Sequence, residues 1–250
     1  MEIIAICNQK GGCAKTTTTI NLAASLAGFG KRVLVIDNDM QGNLTQSLGI
    51  KDYTNTIYEC VKDEIAFNEA IINTSFQNID IVVADLNYSN AEIVLANKKD
   101  RENLLSNSIN KAKLSYDYIL IDCSPSLSLV TINALVAANS ILIPLEASLF
   151  NLEGVAQLVK ILKLVRNKFN PDLAVKGVLL TRVDSRSTLE DLFKDQLRDI
   201  FGDKLFNTVI HQNTAIVRSQ IEKKPVLLYD KNCKGSKEYL ELAKEVINRG

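Results

Sequence analysis

Ten residues near the start of the chain have the composition of a phosphate-binding loop. Residues 8–17 read Asn-Gln-Lys-Gly-Gly-Cys-Ala-Lys-Thr-Thr and lie between an apolar run and a long segment with helical periodicity. In such a turn, backbone N–H groups converge on phosphate oxygens, and the N-terminus of the following helix adds partial positive charge. Lys15 can reach the β- and γ-phosphates of a nucleotide, and the Thr16 hydroxyl can ligate Mg²⁺. These residue types at this spacing predict a nucleotide phosphate site.

Three aspartates could complete the chemistry of nucleotide hydrolysis. Asp37 ends the apolar run 33–37, Asp39 follows two residues later, and Asp122 ends the run 118–122. Hydrolysis needs a carboxylate that supports the metal and a group that positions water, both at strand ends beside the phosphate loop. A single aspartate at a strand end is more often a helix cap. Three of them after a phosphate loop favour the hydrolytic interpretation.

The elements that must position these residues are visible as alternating apolar runs and helix-length segments. The apolar runs are rich in β-branched residues and nearly continuous, which is typical of strands covered on both faces. They cover residues 3–7, 33–37, 79–84, 118–122, 141–145 and 175–181, and the helix-length segments cover 16–29, 126–138, 152–169 and 188–201. The alternation predicts an α/β fold with a doubly wound, mostly parallel sheet, helices on both faces, and ligands beyond the carboxyl ends of the strands. The polar segment 87–113 is also expected to be helical.

Length and charge restrict the number of domains and the partners that the protein can attract. The chain has 250 residues, of which 46% are hydrophobic, and it contains four prolines, so one domain over residues 1–250 is expected. Lys and Arg total 29, as do Asp and Glu, so no global field draws the protein onto nucleic acid or an anionic membrane. Any DNA binding must then come from a local patch.

Cysteine spacing and hydropathy indicate the compartment. The five cysteines lack C-x-x-C spacing, which argues for reduced thiols rather than a disulfide framework or a zinc site. The first apolar run is too short for a signal peptide, and no run approaches the roughly 20 residues that a membrane span needs. We therefore expect a soluble, cytoplasmic protein.

The phosphate loop departs from the ordinary G-x-x-x-x-G-K-[ST] pattern, because Gln9 and Ala14 stand at its two glycine positions. It resembles the deviant Walker A motif of the ParA/MinD family of P-loop ATPases, K-G-G-x-G-K-[ST]. The resemblance implies that Lys10 is the signature lysine, which acts with Lys15 in catalysis and reaches across a dimer interface to the partner's ATP. The residues implied to contact ATP and Mg²⁺ are Lys10, Gly11, Gly12, Cys13, Ala14, Lys15, Thr16 and Thr17.

Ala14 departs even from the deviant motif. An alanine that begins the helix with negative φ costs little, whereas a backbone that needs φ above zero, or a phosphate that passes too close, would weaken binding. Because the rest of the motif is intact, we expect the alanine to be tolerated.

The aspartates also lie in segments that resemble motifs of this family. Residues 37–43 are similar to D-x-D-P-Q-G-N with Met40 in place of proline, and residues 121–125 are similar to I-D-x-P-P with Ser124 in place of the first proline. The resemblance implies that Asp39 orients or activates the attacking water. It implies that Asp37 supports the magnesium shell and that Asp122 holds the metal's water shell.

The resemblance covers nearly the whole chain. Residues 128–135, 151–154, 177–184 and 239–246 look like the small, chromosome-type ParA partition proteins. Such proteins form ATP sandwich homodimers, bind DNA without sequence preference, and release it when a ParB-type partner stimulates hydrolysis. The resemblance therefore implies a slow, partner-stimulated ATPase that is associated with the nucleoid when ATP is bound.

DNA and adenine contacts are expected in the second half of the chain. Arg186 matches the position of a DNA-contacting arginine in the family, but Gln212 and Ala215 stand where two further arginines are expected. Arg218, Lys223 and Lys224 could replace them from the following helix; the alternative is that they are solvated helix charges. Residues 210–213, which include Gln212, are expected to wall the adenine pocket with Thr181 and Arg182.

Two other classes of protein carry a phosphate loop of this kind and are alternatives to a partition ATPase. A MinD-type membrane-cycling regulator would need an amphipathic lipid-binding tail, whereas the apolar residues of 236–250 suit docking onto the domain. A metabolic P-loop ligase or kinase would need an acceptor pocket, and no acceptor motif is evident. Cys123, next to Asp122, is expected to be a buried strand-end residue rather than a ligand of an iron–sulfur cluster.

Overall fold

The computed structural model describes residues 1–126, 128–146, 151–184 and 190–249, with the backbone alone in 151–158 and 190–192. Within these residues there are eight strands and eleven helices. The strands are β1 (Glu2–Ile6), β2 (Val33–Asn38), β3 (Ile71–Asn73), β4 (Ile79–Val82), β5 (Tyr118–Cys123), β6 (Ser140–Glu146), β7 (Ala174–Val183) and β8 (Leu205–His211). The helices are α1 (Lys15–Gly28), α2 (Asn43–Ser47), α3 (Ile57–Lys62), α4 (Ala91–Leu95), α5 (Leu104–Lys111), α6 (Leu129–Ala137), α7 (Asn151–Lys168), α8 (Glu190–Phe201), α9 (Thr214–Ile221), α10 (Val226–Tyr229) and α11 (Lys234–Asn248).

The strands form a single sheet in the order β3-β4-β2-β5-β1-β6-β7-β8. Every described pair is parallel except β3 with β4, which is antiparallel. Strands β2, β5, β1 and β6 are therefore central, and their carboxyl ends meet at one edge of the sheet. This arrangement confirms the predicted doubly wound, mostly parallel α/β fold.

The sheet is covered on both faces because its strands are apolar on both sides. In β1, Ile3 and Ala5 pack in one apolar cluster, while Ile4 and Ile6 pack in the other. The first cluster includes residues of α5 and α6, and the second includes residues of α1 and α11. Successive residues of a strand point to opposite faces, so a continuous apolar run supplies both layers.

Two strands lie outside the predicted set. The three-residue β3 is too short to give a periodic signal. The edge strand β8 contains Asn207 and Thr208, whose backbone N–H groups donate to the Glu245 carboxylate at 3.0 and 2.7 Å. An edge strand has unpaired backbone groups, so polar side chains and a neighbouring carboxylate are tolerated there.

The last helix, α11, docks onto the domain as expected. Its residues Tyr239, Leu242, Ala243 and Val246 are fully buried in the cluster that also contains α1 residues. In the polar region 87–113, the predicted helical structure consists of the short helices α4 and α5 and the 3₁₀ turn Leu86–Asn90. Across the described residues, none of the helices combines the length and apolarity that crossing a bilayer requires.

Candidate functional site: a nucleotide pocket at the carboxyl ends of the strands

The phosphate loop connects β1 to α1 and is held by side chains at its base. The Asn8 amide donates from Nδ2 to the Pro144 carbonyl at 2.6 Å, and its Oδ1 accepts from the Lys10 backbone N–H at 3.1 Å. Gly12 takes a φ of 75°, which only glycine adopts without steric cost. The loop is therefore fixed to the neighbouring strand β6 before it enters the helix.

Ala14 caps α1 with left-handed backbone angles, a φ of 66° and a ψ of 31°. Residue 14 therefore has φ above zero and not the negative φ that would suit an alanine, and an L-residue with a Cβ is strained in this conformation. A glycine at this position in the family's motif would adopt the same angles freely. The chain thus carries local strain at the start of its phosphate-binding helix.

Replacing Ala14 by glycine is expected to stabilise the protein by about 1 kcal/mol, because glycine adopts positive φ without the Cβ clash. For a chain of this size, that corresponds to a rise of about 2 °C in Tm, measurable by calorimetry. The matched control is Ala24→Gly, in the buried interior of α1, where glycine should destabilise by about 1 kcal/mol. A fall of Tm in the Ala14→Gly protein would show that the left-handed angles carry no strain.

Lys15 and Thr16 begin α1 beside the end of β5. Lys15 is buried, and its Nζ donates to the Lys10 carbonyl at 3.2 Å, inside the curve of the loop. The Thr16 hydroxyl donates to Asp122 Oδ2 at 2.7 Å, and the Thr19 hydroxyl donates to Asp122 Oδ1 at 3.3 Å. The predicted lysine, metal-binding hydroxyl and strand-end carboxylate are therefore brought together.

Asp37 and Asp122 are paired residues of the parallel ladder between β2 and β5. The Asp37 carboxylate accepts hydrogen bonds from the Thr45 backbone N–H at 2.8 Å and from the Thr45 hydroxyl at 2.7 Å. Burial raises the pKa of Asp37 to about 7, although the bonds from Thr45 act in the opposite direction. Burial, followed by the charge of Asp37, raises the pKa of Asp122 to about 8. A cation near these carboxylates would favour their ionised forms.

The donor set fits Mg²⁺, which prefers oxygen ligands. The Thr16 hydroxyl and the carboxylates of Asp37 and Asp122 supply oxygen atoms at adjoining strand ends. In the described part of the chain, no three His, Cys, Asp or Glu side chains are grouped so that they could enclose a metal by themselves. Mg²⁺ usually keeps several waters and shares phosphate oxygens with the protein, so a site with few protein ligands is expected for it.

Asp39 lies just beyond the end of β2 and lines the pocket together with Met40. Its backbone N–H donates to Asp37 Oδ1 at 3.3 Å, and its own Oδ1 accepts from the Gln41 N–H at 3.1 Å. Met40, which stands where the family motif has proline, has 43% of its surface exposed. The predicted water-positioning carboxylate therefore faces the space in front of the phosphate loop.

This space is a pocket of about 1130 Å³ at the carboxyl edge of the sheet. Its lining includes the phosphate loop with the start of α1 and residues of the segments 39–43 and 124–126. Residues 210–214 and α9 also line it. Ligand pockets usually measure roughly 300–1,000 Å³, so the volume is large enough for a nucleoside triphosphate.

The three residues predicted to contact adenine do not all line the pocket. Arg182 and Gln212 line the pocket, and Gln212 Nε2 donates to the Arg182 carbonyl at 3.3 Å. Thr181 is fully buried and is not part of the pocket lining. Its hydroxyl donates to the Cys13 carbonyl at 3.1 Å, so it supports the phosphate loop from behind. The predicted direct contact of Thr181 with adenine is thus replaced by a contact with the loop.

Lys10 lies outside the pocket lining, with 43% of its side chain exposed. Its Nζ forms an ion pair of 3.2 Å with Glu146, which also lies 3.7 Å from Arg182. A second contact that the sequence did not suggest joins Gln220 Nε2 to the Thr17 hydroxyl at 2.7 Å. Glu146 and Gln220 are far along the chain from the loop residues that they contact, so no local pattern could have identified these contacts.

The predicted DNA contacts are only partly described. Arg186 lies outside the described residues. Arg218, Lys223 and Lys224 are exposed on α9 and the turn that follows it. Helix α9 also contributes Val217 and Gln220 to the nucleotide pocket, so these basic residues are close in the fold to the nucleotide site.

Together, a strand–loop–helix phosphate site, two strand-end carboxylates and a hydroxyl on α1 define a P-loop nucleotide-binding protein. Comparison with known proteins agrees with this class. A family model described as an AAA domain matches residues 1–175. The sporulation initiation inhibitor protein Soj of Bacillus subtilis is 43% identical over 251 residues, covering 100% of this chain and 99% of the relative. The chromosome partitioning protein ParA of Caulobacter vibrioides is 41% identical over 253 residues, covering 100% and 95%.

Comparison with solved structures also indicates a nucleotide-binding protein. Cobyrinic acid a,c-diamide synthase from Mycobacterium smegmatis has been solved with ADP and magnesium and with an ATP analogue and magnesium, with TM-scores of 0.87 and 0.89. Each structure is 29% identical and covers 99% of this chain and 94% of the synthase chain. The chain belongs to the ParA/MinD family of P-loop ATPases, as its motifs indicated. The predicted ligands, ATP and Mg²⁺, agree with what these structures contain.

Proposed function

We propose that this protein is an ATP-dependent DNA partition ATPase that dimerises around ATP, binds DNA without sequence preference as a dimer, and releases it after hydrolysis. The observation that carries the proposal is the full-length similarity to the chromosome partitioning protein ParA of Caulobacter vibrioides at 41% identity, together with the contact of the Thr16 hydroxyl at the phosphate loop with the strand-end carboxylate of Asp122. The proposed cycle takes place in the cytoplasm, with the ATP-bound form on the nucleoid. A ParB-type partner stimulates hydrolysis.

In the proposed reaction, each part of the site has one task. Loop N–H groups and Lys15 hold the β- and γ-phosphates, and the Thr16 hydroxyl, Asp37 and Asp122 hold Mg²⁺ and its water shell. The magnesium ion supplies charge neutralisation for the phosphates when it is bound. Asp39 orients the attacking water at the open side of the pocket. Phosphoryl transfer depends mainly on such positioning and electrostatic stabilisation.

Dimerisation is supported by the position of Lys10. Its side chain is half exposed, lies outside the pocket lining of its own protomer, and takes part in an exposed ion pair with Glu146. An exposed ion pair contributes little to stability, so opening it costs little. In the proposed dimer, Lys10 contacts the phosphates bound by the partner.

DNA binding by the purified protein is the test of the proposed function. Binding of a non-specific duplex should require ATP, be absent with ADP, and weaken with salt, because lysine and arginine contacts to phosphates release counterions. Replacing Arg218, Lys223 and Lys224 together by alanine should lower the affinity about tenfold or more and reduce the salt slope by about one unit per lost phosphate contact. Arg186→Ala should act in the same direction.

The matched control replaces three exposed lysines near the amino ends of β5 and β7, Lys111, Lys113 and Lys168. These residues lie at the opposite edge of the sheet from the pocket, so their loss should leave DNA affinity nearly unchanged, although the net charge changes equally. DNA binding that is independent of nucleotide, or equal losses in both triple variants, would contradict the proposal.

A metabolic P-loop enzyme is the second candidate, because the solved synthase shares the fold at a TM-score of 0.89. Such an enzyme would turn over ATP with a small acceptor and would show no ATP-dependent DNA binding. A MinD-type regulator would bind anionic vesicles instead. Vesicles and DNA in the same sedimentation assay separate these outcomes.

A further inference from the structure

A buried hydrogen-bonded pair, Asn38 and Tyr88, lies beside the hydrolytic carboxylates. Asn38 stands between Asp37 and Asp39 in the chain and is fully buried. The Tyr88 hydroxyl donates to Asn38 Oδ1 at 2.8 Å, and Asn38 Nδ2 donates to the Val130 carbonyl at 3.1 Å. Both ends of the Asn38 amide are thus bonded to elements that are distant in the sequence.

Asn38 and Asp37 point to opposite faces of the sheet, because successive residues of a strand alternate. Ile36 shares the face of Asn38 and packs in the apolar cluster that contains Tyr88. Val35 packs in the other cluster, on the side of the phosphate-binding helix. The pair therefore anchors the end of β2 on the face of the sheet opposite to the phosphate-binding helix α1.

Asp39 follows Asn38 directly in the chain. The ladder between β2 and β5 ends at Asn38, so Asp39 is beyond the sheet. Its hydrogen bonds to described residues all reach partners within three positions in the chain: its N–H to Asp37, its carboxylate from Gln41, and its carbonyl from the Gly42 N–H at 2.9 Å. Besides the backbone ladder to β5, the two bonds of Asn38 are the long-range side-chain hydrogen bonds nearest before Asp39 in the chain.

Tyr88 is a rigid donor. Its side chain is buried, and its ring packs against that of Tyr58 with centroids 6.2 Å apart and an interplanar angle of 59°. Burial raises the pKa of Tyr88 above its ordinary value, so the hydroxyl remains protonated and available to donate. A tyrosine has two side-chain torsions, and packing of the ring leaves the direction of the hydroxyl well defined.

We propose that Tyr88 is a positioning residue for hydrolysis, which acts through Asn38 to hold the Asp39 carboxylate where it can orient the attacking water. The inference rests on the proposed function, because it takes Asp39 as the water-positioning group. Small displacements of a positioning group lower the rate strongly, while Lys15 and Thr16, on another element, continue to bind the nucleotide. The effect belongs to turnover and not to ATP affinity.

The test compares Tyr88→Phe with the parent protein. Loss of the hydroxyl leaves a buried amide oxygen unpaired, and we expect kcat for ATP hydrolysis to fall about tenfold while the Kd for ATP stays within about twofold. The matched control is Tyr116→Phe, which removes a hydrogen bond of 2.8 Å to Asp80 near the amino end of β5. The control should lose some thermal stability and keep its kcat.

A double variant, Asn38→Leu with Tyr88→Phe, separates positioning from stability. It removes the hydroxyl together with the amide oxygen that would be left unpaired, and it also removes the bond from Asn38 Nδ2 to the Val130 carbonyl, so Tm should recover in part relative to Tyr88→Phe, whereas kcat should remain low because the anchor is still absent. Parental kcat in Tyr88→Phe, or recovery of kcat together with Tm in the double variant, overturns the inference. Parental hydrolysis in Asp39→Ala, by contrast, identifies the proposed role of Asp39 as the failing premise.

Discussion

ATP binding is expected to be lost when Lys15 is replaced by alanine. Its ammonium group is buried inside the loop and points at the Lys10 carbonyl, in the space that phosphate oxygens would occupy. Removing one partner of a buried charge pair typically costs about 3 kcal/mol, which corresponds to a loss of affinity of about 100-fold or more. Titration with a fluorescent ATP analogue in the presence of Mg²⁺ measures the loss directly.

The other lysine of the loop provides the control. Lys10 lies outside the pocket lining and pairs with Glu146, so the Lys10→Ala protomer should keep its affinity for ATP and lose the ability to dimerise. Parental ATP affinity in Lys15→Ala would contradict the assignment of the phosphate site. Loss of ATP affinity in Lys10→Ala would place that lysine in the site of its own protomer and would contradict the proposed contact between subunits.

The Asp39→Ala protein is expected to bind ATP normally and to hydrolyse it about 100-fold more slowly, because a group that positions or activates water typically contributes at least that factor. ATP that is bound and not hydrolysed should keep the protein dimeric. The ATP-bound dimer should therefore accumulate, which light scattering coupled to gel filtration can measure beside the rate of phosphate release.

Asp39→Asn distinguishes the charge of Asp39 from its structural contact. The asparagine keeps an oxygen that can accept from the Gln41 N–H, so the turn after β2 should be preserved. If the role of Asp39 is to orient or activate water, the asparagine variant should also be slow and should also accumulate as a dimer. Parental turnover in both variants would show that another group positions the water.

The phosphate site was predictable because its determinants are contiguous. Ten residues in a row specify the turn, the helix start and the ligand groups, and the strand before them is a continuous apolar run. The three aspartates were predictable because the carboxyl ends of parallel strands meet at one edge, and the ladder indeed pairs Asp37 with Asp122. The general position of the site thus followed from periodicity and local motif alone.

Contacts between distant segments could not be predicted in this way. Gln220 meets Thr17 across 203 positions of the chain, and Glu146 meets Lys10 across 136. The pair of Asn38 and Tyr88 links a strand end to a 3₁₀ turn in a region where the sequence indicated only helical, polar structure. Such pairs have no fixed spacing, because they depend on which turns the sheet order brings together.

The sequence by itself therefore determined the class of fold, the phosphate loop and the carboxylates that lie beside it, since each depends on short-range periodicity or on the common edge of a parallel sheet. The tertiary structure decided how these groups are held. In the folded protein Ala14 has left-handed backbone angles, and Thr181 contacts the phosphate loop instead of lining the pocket. The Tyr88 hydroxyl is hydrogen-bonded to Asn38 at the end of β2. These outcomes depend on packing between elements that are far apart in the chain, and local residue patterns carry no information about that packing.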